Sequence, residues 1–323
     1  GYEALIQRHA LRVPRLVHAS WVGTGTAKSK IEVDGHVEEV FPERHWPGDH
    51  DAAQLEFALK YDGTNLLVLA RVFEHLPKAE LEAYVRSKPT GKYARRLWFL
   101  FEFLTGQRLD LKDVTAGNYV DLLESDEYVV VSTPHKVRRQ RVNDNLLGPR
   151  AFCPMVRRSA AIERMSMLDF HSKSRELLGR YPEDLVRRAL GYLYTKETRS
   201  SFDIEHVTPS PARTERFIAQ LKLAERDDFL TKAKLVDLQG RIVDPRFRVD
   251  DYRTTQNYVG IVIGERRYVD FVCAQPDDVP ALMDGISVSS SVRSTPSSTP
   301  PWSRTASSSS TRSTTATAAS TAS

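Results

Sequence analysis

The sequence predicts a mainly α chain: a helical bundle with an inserted β-hairpin, preceded by a mixed helical N-terminal region and followed by a disordered tail. Three observations carry this. Ser159 to Leu178 and Glu183 to Arg199 hold apolar residues at helical spacing, separated by the break Gly179-Arg180-Tyr181-Pro182. Tyr258 to Ile263 and Tyr268 to Cys273 are β-rich runs around a Gly264-Glu265-Arg266-Arg267 turn. From Ser287 to Ser323 there is no acidic residue, no Gly and no hydrophobic periodicity, so nothing in that stretch can build a core.

The N-terminal region, residues 1–158, mixes helices with irregular segments. A helix from Asp51 to Leu76 is supported by Leu55, Leu59, Leu66, Leu69 and Phe73, with Gly63 as a potential break. Lys78 to Ser87 is a second helix. Gly91 to Leu104 is the most apolar, with Trp98, Phe99, Phe101 and Phe103 around Arg95 and Arg96. Aromatic side chains bring large buried areas, so these four read as core. Tyr128 to Val131 reads as a strand. His45, Asp49, His50 and Asp51 are metal-ligand types, but Asp49 or Asp51 serves more simply as the N-cap of the following helix. Farther on, Arg213 to Glu225 places Phe217, Leu221 and Ala224 at helical spacing, and Asp277, Asp278 and Pro280 mark a helix start.

With 323 residues and 41% hydrophobic content, the chain has room for two domains with buried cores. Cys153 and Cys273 are its only cysteines, which argues against a disulfide framework or a cysteine zinc site and fits a reducing cytoplasm. No run approaches a membrane span, and no apolar secretion segment opens the chain. The formal charge of +4 owes part of its excess to Arg293, Arg304 and Arg312 in the tail. A local basic cluster remains at Lys136, Arg138, Arg139, Arg141, Arg150, Arg157 and Arg158. Such a run is ordinarily a solvated or domain-interface face; the other reading is a nucleic-acid site, although no aromatic interleaving or DNA-reading motif accompanies it.

The tail acquires a meaning when it is returned to codons. Written in GC-rich synonymous codons and read from the third base of Ser310, the stretch to Ser323 spells HPFDDGNGRIHR. Trp302 to Ser309 spells VAYGFVFI immediately before it. In most of the shifted codons the second and third bases are fixed by the translated residue, and only the first is free by synonymy. A chance match over the whole string is therefore improbable. The shift falls after Gly285 and before Ser294.

That string is similar to the catalytic signature of the Fic family, HPFxDGNGRxxR, with its usual apolar lead-in. Two in-frame strings add to the resemblance. YTKETRSSFDIEHVTPSPARTERF, from Tyr194 to Phe217, resembles the inhibitory segment of N-terminally self-regulated Fic proteins. Its pattern is Ser or Thr, three residues, Glu, then Gly or Asn; Ser201 opens it, Glu205 closes it, and His206 departs from the last position. YRTTQNYVGIVIGERRYVDFVCAQPDDVPALMDG, from Tyr252 to Gly285, resembles the family's β-hairpin flap and the helix after it, with Ala274-Gln275-Pro276 in place of a longer Pro run. Residues before Ser159 resemble the regions that precede the domain in larger Fic proteins, without a motif that assigns them a role.

The resemblance implies a Fic-type helical bundle with residues 159–285 as its N-terminal part and 286–323 as a frameshifted tail. It implies transfer of AMP from ATP to a protein hydroxyl, with ATP and Mg2+ as the intact family's cofactors and an unidentified protein as target. The shifted-frame His would deprotonate the hydroxyl, the acidic residue before GNGR would bind Mg2+, and the GNG amides would cradle phosphate. Glu205 would compete with the ATP γ-phosphate for the last Arg, with Ser201 steadying its helix. Tyr258, Val259, Gly260, Ile261 and Val262 would pair with the target backbone. As translated, the chain contains no such loop, so neither a cofactor nor catalysis is expected of it. Two other classes stand beside this one: a DNA-binding regulator using residues 136–158, and a noncatalytic interaction module using the hairpin.

Overall fold

The computed structural model of the chain describes residues 1–204, 214–215, 218–219, 230–243, 248–263 and 266–291. They fall into two units: Gly1–Tyr128 with Thr133–Leu146, and Val129–Ser132 with the chain from Leu147. The division thus comes ahead of Ser159, and a four-residue piece of the first span belongs to the second unit. Helix outweighs strand among the described residues, as the sequence predicts. No described helix is long and apolar enough to cross a membrane.

Unit 1 departs from its expected helical character at the start. After α1 (Tyr2–Arg8), three strands follow: β1 (His18–Val22), β2 (Ser29–Val33) and β3 (His36–Phe41). Their order is β1-β3-β2, with β1 parallel and β2 antiparallel to β3. Asp34 and Gly35 turn between β2 and β3 at φ 51° and 75°. Two successive positive φ angles suit the right-handed twist of a tight hairpin, and Asp-Gly is the sequence pair that tolerates them.

The helix expected from Asp51 to Leu76 is two helices, α2 (Asp51–Tyr61) and α3 (Leu66–Phe73). Gly63 breaks them at φ 85°. The break is held by two tyrosine hydroxyls: Tyr2 Oη donates to the Gly63 carbonyl at 2.9 Å, and Tyr128 Oη accepts from the Thr64 amide at 2.9 Å. Asn65 then caps α3 by accepting from the Val68 amide at 3.1 Å. Helix α4 (Lys78–Ser87) has the predicted bounds, and α5 (Lys92–Thr105) ends on Gly106 at φ 70°.

Helix α5 forms the centre of unit 1 and packs against α2, α3 and α4. Leu97, Trp98, Leu100 and Phe101 are buried, so the aromatic run is core as predicted; Phe103 is half-buried. Its two arginines are buried as well, and each finds polar partners. Arg95 donates to the Asn118 carbonyl at 2.7 Å, while Arg96 donates to the Asp121 carbonyl at 2.7 Å and pairs with Glu124 at 2.9 Å. A small sheet completes the unit: β4 (Val120–Asp121), β5 (His135–Val137) and β6 (Val142–Asp144), in the order β4-β6-β5. Tyr128 to Val131, expected as a strand, makes only isolated bridges at its two ends.

Asp62, beside the Gly63 break, accepts from the Tyr2 amide at 3.1 Å, and burial pushes its carboxyl up to about 6. A carboxyl raised on folding stabilises most below its unfolded value near 3.8, and that contribution is lost as pH rises to 6. Stability is therefore expected to fall by roughly 1–2 kcal/mol across that interval. In urea unfolding across pH 3–7, Asp62→Asn is expected to flatten this dependence.

Unit 2 has a different character. The segment expected as one helix from Ser159 to Leu178 is α6 (Ala160–Ser166) and α7 (Phe170–Gly179), each capped by a side chain, Ser159 for α6 and Asp169 for α7. Then come α8 (Glu183–Ile204), α9 (Lys232–Ile242), the hairpin β7 (Tyr258–Ile263) and β8 (Arg266–Val272), and α10 (Val279–Ser291). Among the described residues, no hydrophobic side chain beyond Leu146 is buried in the way those of unit 1 are. Met167, Phe170, Leu177, Leu185, Tyr192 and Leu193 all stand exposed along α6–α8 or their connections.

Candidate functional site

The hairpin places most of the predicted site residues. Strand β7 has the predicted bounds and pairs antiparallel with β8, Tyr258 opposite Val272 and Ile263 opposite Arg266. Strand β8 begins at Arg266, two residues before the predicted run, because Arg266 and Arg267 pair with Ile263 and Val262 and do not belong to the turn. The register shifts between Val259 and Gly260, the mark of a bulge. Tyr258, Val259, Gly260 and Ile261 are exposed. Val262 lies in the same strand, and its side chain is outside the described set.

Gly260 is required by this geometry. A Cβ there would lie 2.1 Å from the Tyr268 carbonyl oxygen, a backbone atom that cannot move aside without breaking the ladder. Gly260→Ala is therefore expected to open the hairpin by about 1–3 kcal/mol locally. Amide exchange of residues 258–272 should rise at least tenfold, while exchange in α5 stays unchanged.

The base of the hairpin is fastened by residues that the sequence reading passes over. Gln256 Nε2 donates to the Cys273 carbonyl at 2.8 Å, the Cys273 amide donates to the Asn257 carbonyl at 3.2 Å, and Arg253 Nη2 donates to the Ala274 carbonyl. Lys232, at the start of α9, pairs with Asp251 at 2.7 Å; that hydrogen bond holds the ammonium above and the carboxylate below their usual ranges. A polar residue just outside each strand was the only sequence signal for this clasp. The predicted helix start at Asp277, Asp278 and Pro280 is a 3-10 turn over Pro276–Asp278 leading into α10. Gly285 of that helix is buried, and a Cβ there would meet Phe152 Cβ at 2.6 Å.

Of the two residues expected to be inhibitory, Ser201 lies in the last turn of α8, and its side chain is not among those described. Glu205, the predicted helix at 213–225 except four residues, and the tail from residue 292 lie outside the described residues. The hairpin and these two residues are thus not brought together by any described contact.

The other candidates resolve into structural roles. Asp51 is not an N-cap: His50 holds that position without a side-chain bond, and Asp51 is buried against Arg8 and His9, the latter at 2.6 Å. Among the described residues no group of three His, Cys, Asp or Glu side chains is placed to hold a metal. In the basic cluster, Arg139 is spent on the fold. It pairs with Glu102 at 3.1 Å and Asp113 at 3.0 Å, donates to the Leu109 and Leu111 carbonyls at 2.7 and 2.9 Å, and lies 4.8 Å from the Trp98 ring centre. Arg158 pairs with Glu163. Tyr119, distant in sequence, supplies an aromatic face to Arg141 at 5.1 Å and Lys136 at 5.7 Å.

No family model, curated protein or solved structure matches this chain.

Proposed function

We propose that this chain derives from a gene for a self-inhibited Fic-type protein AMP transferase, read past a frameshift that removes its catalytic loop. The observation that carries the reading is the shifted-frame string HPFDDGNGRIHR, following the in-frame inhibitory and flap strings in the family's order. The hairpin at Tyr258–Val272 supports it, since that element was expected from the resemblance and from β-propensity alike.

The exposed apolar faces of α6–α8 also support it. Amphipathic helices of 7, 10 and 22 residues draw their stability from burying one face, and these bury none among the described residues. A helical domain whose remaining half is written in another frame has this character.

The residues present do not fit ATP or Mg2+. No acidic residue follows Asp284, and Ser310–Ser323 contains neither Gly for a phosphate nest nor His for a base. The translated chain therefore has no AMP-transfer chemistry, and activity belongs to the restored reading frame. Sequencing the gene from the codon of Asp284 through that of Ser323 and beyond tests this directly. One inserted or deleted base before Ser294 supports the proposal. An uninterrupted frame in independent isolates overturns it and turns attention to the hairpin as a noncatalytic binding edge.

A further inference from the structure

We propose that unit 1 carries a groove for the phosphate backbone of a nucleic acid, lined by Arg108, Lys136 and Arg138. The groove, about 510 Å3, lies between the segment following α5 and the β5–β6 hairpin. Gly106 ends α5 in the left-handed region, so the chain turns sharply and presents Arg108 opposite His135, Lys136 and Arg138.

The two carboxylates on its wall, Glu102 and Asp113, both pair with Arg139, which offsets one of their two charges and leaves the three outer cations in excess. The three outer cations are exposed, and none of them forms an ion pair among the described residues. Lys136 rests over Tyr119 and shares that ring with Arg141, which extends the positive face past the groove. Unit 1 as a whole holds nearly equal numbers of acidic and basic residues, so this concentration does not follow from net charge.

An unpaired cluster of two guanidinium groups and an ammonium on an open surface matches an extended polyanion. An acidic protein partner would require apolar anchors at the centre of its interface, and Val137 is the only apolar side chain lining this groove. Polar, cation-rich interfaces of this kind are those that hold nucleic-acid phosphates.

The test is fluorescence anisotropy of the full chain with a short labelled DNA duplex and its single strand. With three phosphate contacts, affinity should fall roughly fortyfold between about 50 and 200 mM salt. The triple variant Arg108→Ala, Lys136→Ala, Arg138→Ala should lose at least about tenfold at the lower salt and flatten the salt slope by about one for each cation removed. All three side chains are exposed, so its thermal midpoint should equal that of the parent. A variant matched in charge, Arg180→Ala, Arg187→Ala, Arg188→Ala on the helices of unit 2, should bind like the parent. Absence of binding at low salt, or equal loss in both triple variants, overturns the proposal. Binding of poly-glutamate without binding of DNA overturns it in favour of an acidic protein.

Discussion

A single-base correction between the codons of Gly285 and Ser294 is expected to turn a chain without AMP transfer into one that labels protein from ATP by at least about four orders of magnitude more. The magnitude follows from the parts restored. A general base contributes roughly a hundredfold to ten-thousandfold, and each preorganised donor at the developing charge roughly another hundredfold or more. The readout is covalent label from ATP marked at the α-phosphate, in the translated chain and the corrected chain side by side. Labelling by the translated chain would contradict the proposal as firmly as silence of the corrected one. In the corrected chain, Glu205→Gly should raise labelling roughly tenfold to a hundredfold, because a carboxylate competing for a bidentate Arg is worth about 1.5–3 kcal/mol. Unchanged labelling in that variant would remove Glu205 from the inhibitory role while leaving the transferase reading intact.

What the sequence made legible depended on how local the determining interaction was. Helix α4 and the hairpin strand β7 appear with their predicted bounds because their signals, apolar spacing in one and β-branched density in the other, lie within each element. The β1-β3-β2 sheet carried a local signal too, Asp34-Gly35 between short alternating runs, which went unread among the charged residues of β2 and β3. The division of the Asp51–Leu76 helix was half legible. Gly63 announces a break, but the hydroxyls that hold it arrive from Tyr2 and Tyr128, some 60 residues away in either direction. The same distance problem hid the roles within the basic cluster. Arg138 and Arg139 are adjacent and identical in sequence, and only tertiary structure separates them: one side chain faces solvent and the other is taken up by carboxylates contributed from Glu102 and Asp113.

Glu102→Ala should destabilise unit 1 by about 3 kcal/mol. The Glu102 carboxylate accepts from Trp98 Nε1 at 2.8 Å, the Leu109 amide at 3.1 Å and Gln140 Nε2 at 2.7 Å, and it pairs with Arg139. Removing it leaves Arg139, only 15% exposed, with Asp113 and two backbone carbonyls, and takes the acceptor from a buried indole N–H and a buried amide. Partial exposure sets the value at the lower end of the range for a broken buried pair. Urea unfolding should show a lower midpoint with an unchanged slope; a shift below about 0.5 kcal/mol would mean that solvent already screens the pair. Glu102→Gln separates two roles of the same residue. It keeps an acceptor for Trp98 but turns an amide toward Arg139 and Gln140, so it should cost roughly half as much stability. It also removes a negative charge from the wall of the basic groove, so DNA affinity should hold or rise while stability falls. Parallel loss of both would mean that the groove depends on the fold around Arg139 and not on the charge balance along its wall.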